Sequence, residues 1–289
     1  MKIDAHQHFW SFNPTDFPWI SAEMEVLRRD YHIEQAIALL DAHSFDGVVA
    51  VQARADWAEN DWLLSLAKQS PRIAGIVGWA DLFNDAAQPQ VEALLAQPQC
   101  IGVRAMLQDM PAPAQAMQDT IFNRYVAQIQ TQGAVYEVLL RHDQLQAVVP
   151  FCQAHDRHAL VIDHLAKPDY AAGLSSEAGQ QWLSVFQQLA RLPHVYVKTS
   201  GLLTEVEALV LSGATEATEI DLYFTPFLDA ALELFGAHRL VFGSDWPVAH
   251  LRGGYDVGLG VIERWAEQRL SAAEAAQLFG ANAQRLYSI

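Results

Sequence analysis

Cysteine occurs only twice in the 289 residues, at Cys100 and Cys152, and the two form no CxxC pair. This excludes a disulfide framework or a zinc knuckle and leaves both thiols as small core residues. No uninterrupted apolar stretch approaches the roughly 20 residues that span a bilayer, so no membrane helix is expected. Basic residues are scarce, 18 Lys and Arg against 34 Asp and Glu, for a formal net charge of −16. Such a surface repels a phosphate backbone, no local basic cluster offsets it, and nucleic acid is not an expected partner. The single RGG string at Arg252 to Gly254 runs into Tyr255 and reads as a loop. Gly258-Leu259-Gly260 follows no strand and lacks a third glycine, which rules out a phosphate loop. The first residues show no basic region followed by an apolar run and a cleavage site, so the expected location is the cytoplasm.

What the chain does have is apolar material in a regular rhythm, 51% hydrophobic residues against 18% charged. Eight short runs rich in β-branched residues recur: KIDAHQH, DGVVAVQA, IAGIVGWAD, CIGVRAM, AVYEVLL, HALVIDHLAK, VYVKTSGL and LVFGSDWPV. Between them lie segments such as HIEQAIALLDAH and GQQWLSVFQQLARL, whose apolar residues fall at helical spacing. Continuous apolar strands alternating with amphipathic helices imply a parallel sheet covered by helices. Eight repeats, each near the about 30 residues of one strand-helix-strand step, favour closure into a (β/α)8 barrel. No Pro- or Ser-rich linker divides the chain, so residues 1–289 are expected to form one domain, ending in a helix capped by Ser271 and Glu274. Two connections are long, Phe9 to about Tyr31 and about Thr204 to Thr225, and are expected to wall a pocket.

In such a barrel, polar residues at the C-terminal ends of the strands form the site. The first run ends with His6 and His8, which in a strand project to one side about 6.6 Å apart. The sixth ends with Asp163 and His164, the eighth with Asp245. Imidazole nitrogens and a carboxylate oxygen are ligands that a divalent metal such as zinc accepts. Taken singly each has a structural account: a hydrogen-bonded strand end for the histidine pair, a core imidazole for His164, a turn cap for Asp245. Taken together these accounts weaken, because burying that much polarity at one pole costs several kcal/mol unless every group is paired.

DAHQHFW, DHLAKP, KTSGL, FGSDWPV and the closing GANAQRLY, in this order along almost the whole chain, resemble the amidohydrolase superfamily. Within it they are similar to the sugar-lactone hydrolases of the L-fuconolactonase and L-rhamnonolactonase group. The resemblance implies a (β/α)8 barrel with His6, His8, His164 and Asp245 as the catalytic set, acting on a small sugar lactone. The chain departs from binuclear members of the superfamily, which carry a bridging Lys or Glu on strand four and a His on strand five. Here the corresponding runs carry Arg104, then Glu137 and the later His142. Two metals are therefore not expected, and one metal held by His6, His8, His164 and Asp245, or none, is left open.

Opening a lactone requires a deprotonated water, a polarised carbonyl and a proton for the departing alkoxide. Asp245 is the expected general base. The histidines polarise the carbonyl, either through a bound metal or by donating hydrogen bonds to the oxyanion. Arg104 is a candidate substrate contact, with a structural ion pair as the alternative. Lys167 is another, although Lys167 and Lys198 each fit a pairing with a neighbouring carboxylate. Trp10 and His32, in the first long loop, are candidates for contacting the sugar. His155 and His158 fall at the opposite end of the barrel, where a cationic imidazole would suit a helix terminus. Two rivals are a metal-dependent decarboxylase of an aromatic or unsaturated acid on the same barrel, and a non-catalytic sugar-acid sensor.

Overall fold

The eight apolar runs form eight strands: β1 (Ile3–Gln7), β2 (Gly47–Val51), β3 (Ile73–Gly78), β4 (Cys100–Ala105), β5 (Val135–Val138), β6 (Leu160–Ile162), β7 (Val195–Thr199) and β8 (Leu240–Phe242). The structure, a computed structural model, describes residues 1–206 and 217–289. Strands pair in parallel in chain order, β1 through β8. The ends meet just beyond the last ladder: Asp245 N donates to His6 O at 2.9 Å and His8 N to Trp246 O at 2.8 Å. The expected (β/α)8 barrel is thus the fold, and it closes through the segments that carry His6, His8 and Asp245.

Side chains alternate across a strand with period two, and the inward positions change character toward the C-terminal ends. At the other end Ile3, Ala5, Val49, Val51, Val77, Val135, Val161 and Val241 cluster with Ala283, Leu286 and Tyr287 of the last helix, Asn282–Tyr287. Two residues on from Val135 comes Glu137, and two on from Val161 comes Asp163, both fully buried. The same inward rows therefore carry an aliphatic plug and then ionisable groups. Outside the strands a larger apolar cluster, with Leu40, Leu63, Trp182 and Phe227 among its members, binds the helices to the sheet. Each such fully buried side chain contributes roughly 1.5–3 kcal/mol.

Helix starts follow their caps. Asp56 accepts from Ala58 N, Asp119 from Ile121 N and Phe122 N, and Ser176 from Gly179 N. Ser271 and Glu274 form the expected capping box. The helix it opens is not continuous, however: Ala272–Ala276 passes into a π-helical turn, Gln277–Ala281, before Asn282–Tyr287. At Gly280 the backbone of Met1 lies where a side chain would be, 1.9 Å from an added Cβ, so glycine lets the chain start pack there.

The two long connections differ from expectation in detail. The first is closed by paired backbone bonds between Trp10 and Tyr31 and holds one short turn, Glu25–Leu27. The second is expected to run to Thr225, but a helix already spans Ala217–Phe235, because Ile220, Tyr223, Phe224 and Phe227 continue the apolar face back along it. The stretch 207–216 of that connection lies outside the described residues. Cys100 and Cys152 are free and buried. No helix among the described residues is long and apolar enough to cross a membrane. At the far end of the barrel, burial pushes the His155 pKa down to about 4, and Asn123 Oδ1 lies 2.7 Å from its Nε2. The expected cationic imidazole is therefore a neutral one.

Candidate active site

Asp4 sets the end of β1. Its Oδ1 accepts from Ser244 N at 2.8 Å and His6 N at 3.3 Å, and its Oδ2 from Gln7 Nε2 at 2.7 Å. The register between β1 and β2 shifts between Asp4 and Gln7, a bulge of the kind that re-aims side chains. His6 and His8 then both face the site. Close approach to β8 is possible because Gly243 has no side chain: a Cβ there would lie 2.6 Å from the His6 Cβ.

Beneath the mouth lies a buried charge network. Lys198 Nζ is 2.6 Å from Glu137 Oε1, 3.5 Å from Asp163 Oδ1 and 3.1 Å from His6 Nδ1. Arg104 Nη1 donates to Asp163 Oδ2 at 2.9 Å and lies 3.3 Å from His6 Nε2, while its Nη2 donates to Gln52 O at 2.7 Å. The Tyr287 hydroxyl donates to Glu137 Oε1 from below. Two cations and two carboxylates thus balance in a buried layer. Burial would raise the Asp163 pKa, but Lys198 and Arg104 outweigh it and hold the group down to about 2. Glu137 goes the other way, raised by burial against the pull of Lys198. Burial, then Lys198, keep His6 well below its ordinary value, so it is a neutral imidazole. A neutral ring accepts at one nitrogen only, so His6 satisfies one of its two cationic neighbours.

His164 is delivered by an unusual turn. His164, Leu165, Ala166 and Lys167 all have left-handed backbones, with φ of 53, 55, 56 and 49°. Each such non-glycine residue costs roughly 1–2 kcal/mol, and the departure from extended backbone ends β6 at Ile162. Trp182 Nε1 donating to Leu165 O at 2.7 Å and His142 Nδ1 donating to Lys167 O at 2.8 Å hold the turn. The ring of His164 packs over Gly201, whose φ is 61° and where a Cβ would lie 2.6 Å from His164 Nδ1. Ser200 Oγ is 2.9 Å from that same nitrogen. Burial lowers the His164 pKa to about 4. Asp245, itself left-handed at φ 58°, follows β8 by three residues. Burial opposes its charge, but His164, His8 and Lys167 leave its carboxyl below the ordinary 3.8.

The donor set fits one divalent cation. Ligand atoms of His6, His164 and Asp245 all lie within 4.8 Å of one another. His8 joins through Asp245: His8 Nδ1 donates to Val51 O at 2.7 Å, which turns Nε2 toward Asp245 Oδ1 at 3.3 Å. Two electron-rich atoms at that separation need a proton or a cation between them. A second group, His6, Glu137 and Asp163, has equally close ligand atoms, but the Lys198 ammonium already sits against all three.

Above these residues opens a cleft of about 360 Å³, within the range of small-molecule sites. His8, Arg104, His164, Lys167 and Asp245 line it, together with Trp19, Met24, Met106, Gln108, Leu139, Thr204, Glu205 and Leu251. Lys167 Nζ is paired with Glu205 at 3.0 Å. The structure does not bring Trp10 or His32 to the cleft. Trp10 is fully buried, its Nε1 shared by the carbonyls of Leu27 and Arg29, and its ring packed on Phe17, Trp19 and Tyr31. It is a core residue of its loop, and Trp19 is the indole at the cleft wall. His32 stands at the start of the helix Ile33–Ala42, its Nε2 2.9 Å from Ser11 Oγ. Sequence reasoning passed over Glu205, Trp19, Ser200 and Asp4. Trp19 and Glu205 lie in the two long connections expected to wall the pocket, and both line it; Asp4 carried a signal of its own, two residues before His6 in an apolar strand.

The barrel and the cluster at its mouth define a class. The pattern of the amidohydrolase family matches residues 3–289, and the chain belongs to that family. An L-fucono-1,5-lactonase of Burkholderia multivorans is 42% identical over 293 residues, covering 100% of this chain and 96% of the relative. An L-fucono-1,5-lactonase of Burkholderia ambifaria is 31% identical over 291 residues, covering 100% and 96%. A crystal structure of a Burkholderia multivorans amidohydrolase with bound zinc matches with a TM-score of 0.93 at 42% identity, covering 100% of this chain and 99% of that one.

Proposed function

We propose that this protein hydrolyses a sugar lactone, of the L-fucono-1,5-lactone kind named for its relatives, to the open-chain aldonate. The observation that carries the reading is a carboxylate, Asp245, set among His6, His8 and His164 at the floor of a cleft sized for a monosaccharide. A lactone is an activated ester, so a weak base suffices. Asp245, ionised at neutral pH, accepts a proton from the attacking water and returns it to the ring oxygen as the alkoxide departs. Arg104, its guanidinium fixed by Asp163 and the Gln52 carbonyl, turns positive charge toward the carboxylate that forms. Neutral His164 orients the carbonyl from the strained turn. His6, His8, His164 and Asp245 would hold one divalent cation, zinc by likeness to the zinc-bound relative, which when bound supplies Lewis-acid polarisation of the lactone carbonyl.

The test is acid release, followed with a pH indicator, from a panel of aldonolactones by the native protein and by Asp245→Asn. The native protein is expected to open L-fuconolactone, and a folded Asp245→Asn to lose about 10²–10⁴-fold in kcat. No lactone turned over, or an Asp245→Asn variant with native kcat, defeats the reading. Turnover of an aromatic acid with release of CO2, and of no lactone, would replace it with decarboxylation.

A further inference from the structure

The ion pair between Lys167 and Glu205 differs from the others in the barrel. Lys198 lies beneath the floor and Arg104 in it, each tied to more than one partner. Lys167 and Glu205 line the cleft itself, with side chains 18% and 21% exposed. Lys167 closes the left-handed turn that begins at His164, so its ammonium is placed relative to the site imidazole. Glu205 follows β7, the next strand round the barrel.

The pair has hydrogen-bonding capacity to spare. An ammonium has three protons, and among the described residues Lys167 Nζ meets only Glu205 Oε1, at 3.0 Å. That oxygen also faces Thr204 Oγ1 at 3.5 Å, whose firmer bond, at 2.9 Å, is to Gly201 O. Two N–H donors of Lys167 and the second oxygen of Glu205 thus remain for a ligand. An ion pair that solvent reaches contributes only modestly to stability, so a purely structural role explains its position at the cleft wall poorly. A donor beside an acceptor is what a secondary alcohol requires, because its oxygen accepts from the ammonium while its proton goes to the carboxylate.

Resting on the lactone reading, we infer that Lys167 and Glu205 bind one ring hydroxyl of the substrate and so make the enzyme selective for the configuration at the carbon that bears it. An epimer turns its hydroxyl away and leaves both charged groups without their partner. Lys167 and Glu205 are then specificity residues, separate from the proton transfer at Asp245.

The experiment measures kcat/KM for a sugar lactone that the native protein opens and for the matching lactones lacking one hydroxyl each, in the native protein, Glu205→Gln and Lys167→Met. In the native protein one deoxy lactone is expected to fall about 10–100-fold below its parent, the value of a hydrogen bond to charged groups. In each variant the parent falls by a similar factor, while that deoxy lactone changes less than about 3-fold. Thermal melting checks that both variants fold, and either one suffices. A variant that slows the parent and every deoxy lactone alike overturns the inference, as does a native protein indifferent to every hydroxyl. A native protein inactive on all lactones removes the reading beneath it, and is seen before any variant is made.

Discussion

Removing the Lys198 ammonium should cost the barrel more than any surface ion pair. Lys198, Glu137 and Asp163 are each 0% exposed, so neither carboxylate can recruit water when the ammonium is gone. Asp163 retains Arg104 at 2.9 Å, but Glu137 keeps only the Tyr287 hydroxyl. Breaking a buried pair by deleting one partner costs about 3–5 kcal/mol. The entropy of unfolding for a chain of this length is about 0.6 kcal/mol/K, so Lys198→Met is expected to melt about 5–8 °C lower. The companion is the double variant Lys198→Met with Glu137→Gln, which removes both charges and leaves an amide oxygen for Tyr287. It should recover at least half of the loss, since an uncharged replacement of similar volume is often neutral. Calorimetry at one scan rate reads all three proteins. A single variant melting with the native protein, or a double variant no better than the single, would refute the claim that charge balance holds this layer together.

Gly201→Ala adds a Cβ at a positive φ, 2.6 Å from His164 Nδ1. Displacing that ring should lower kcat about 10²-fold in a folded protein, and unchanged kcat would show that the ring's position is not critical. Glu59, 1% exposed and accepting from Ala53 N and Arg54 N, has its pKa raised by burial from 4.5 to about 7. Its folded form therefore holds a proton that the unfolded chain releases, so stability present below pH 4.5 is lost as pH rises through 7, by about 3 kcal/mol. Denaturant midpoints at pH 5 and pH 8 should show this loss relative to Glu59→Gln, whereas parallel pH curves for the two would contradict it. Trp10→Phe strands the Leu27 and Arg29 carbonyls and should cost about 1–3 kcal/mol in stability with KM unchanged. A several-fold rise in KM would instead return Trp10 to the substrate.

The sequence by itself determined the barrel, its single run of eight strand-helix steps, and the four residues His6, His8, His164 and Asp245 at one pole. Periodicity is local: a β-branched run followed by a 3.6-residue pattern declares strand and helix wherever it occurs. The inward rows are equally local, since Val135 and Glu137, or Val161 and Asp163, must share a face two residues apart. Tertiary structure alone decided what those inward groups meet. Lys198 and His6 touch across 192 positions, and Lys198 and Glu137 across 61, contacts fixed by closure of the barrel. It also decided which of two neighbouring indoles reaches the cleft. Trp10 and Trp19 share one loop of similar composition, and only the packing of that loop against Tyr31 and Trp246 buries the first and leaves the second at the wall. The left-handed turn from His164 to Lys167 was illegible for a related reason: no residue in it prefers that backbone, which is imposed by Trp182, His142 and the space over Gly201.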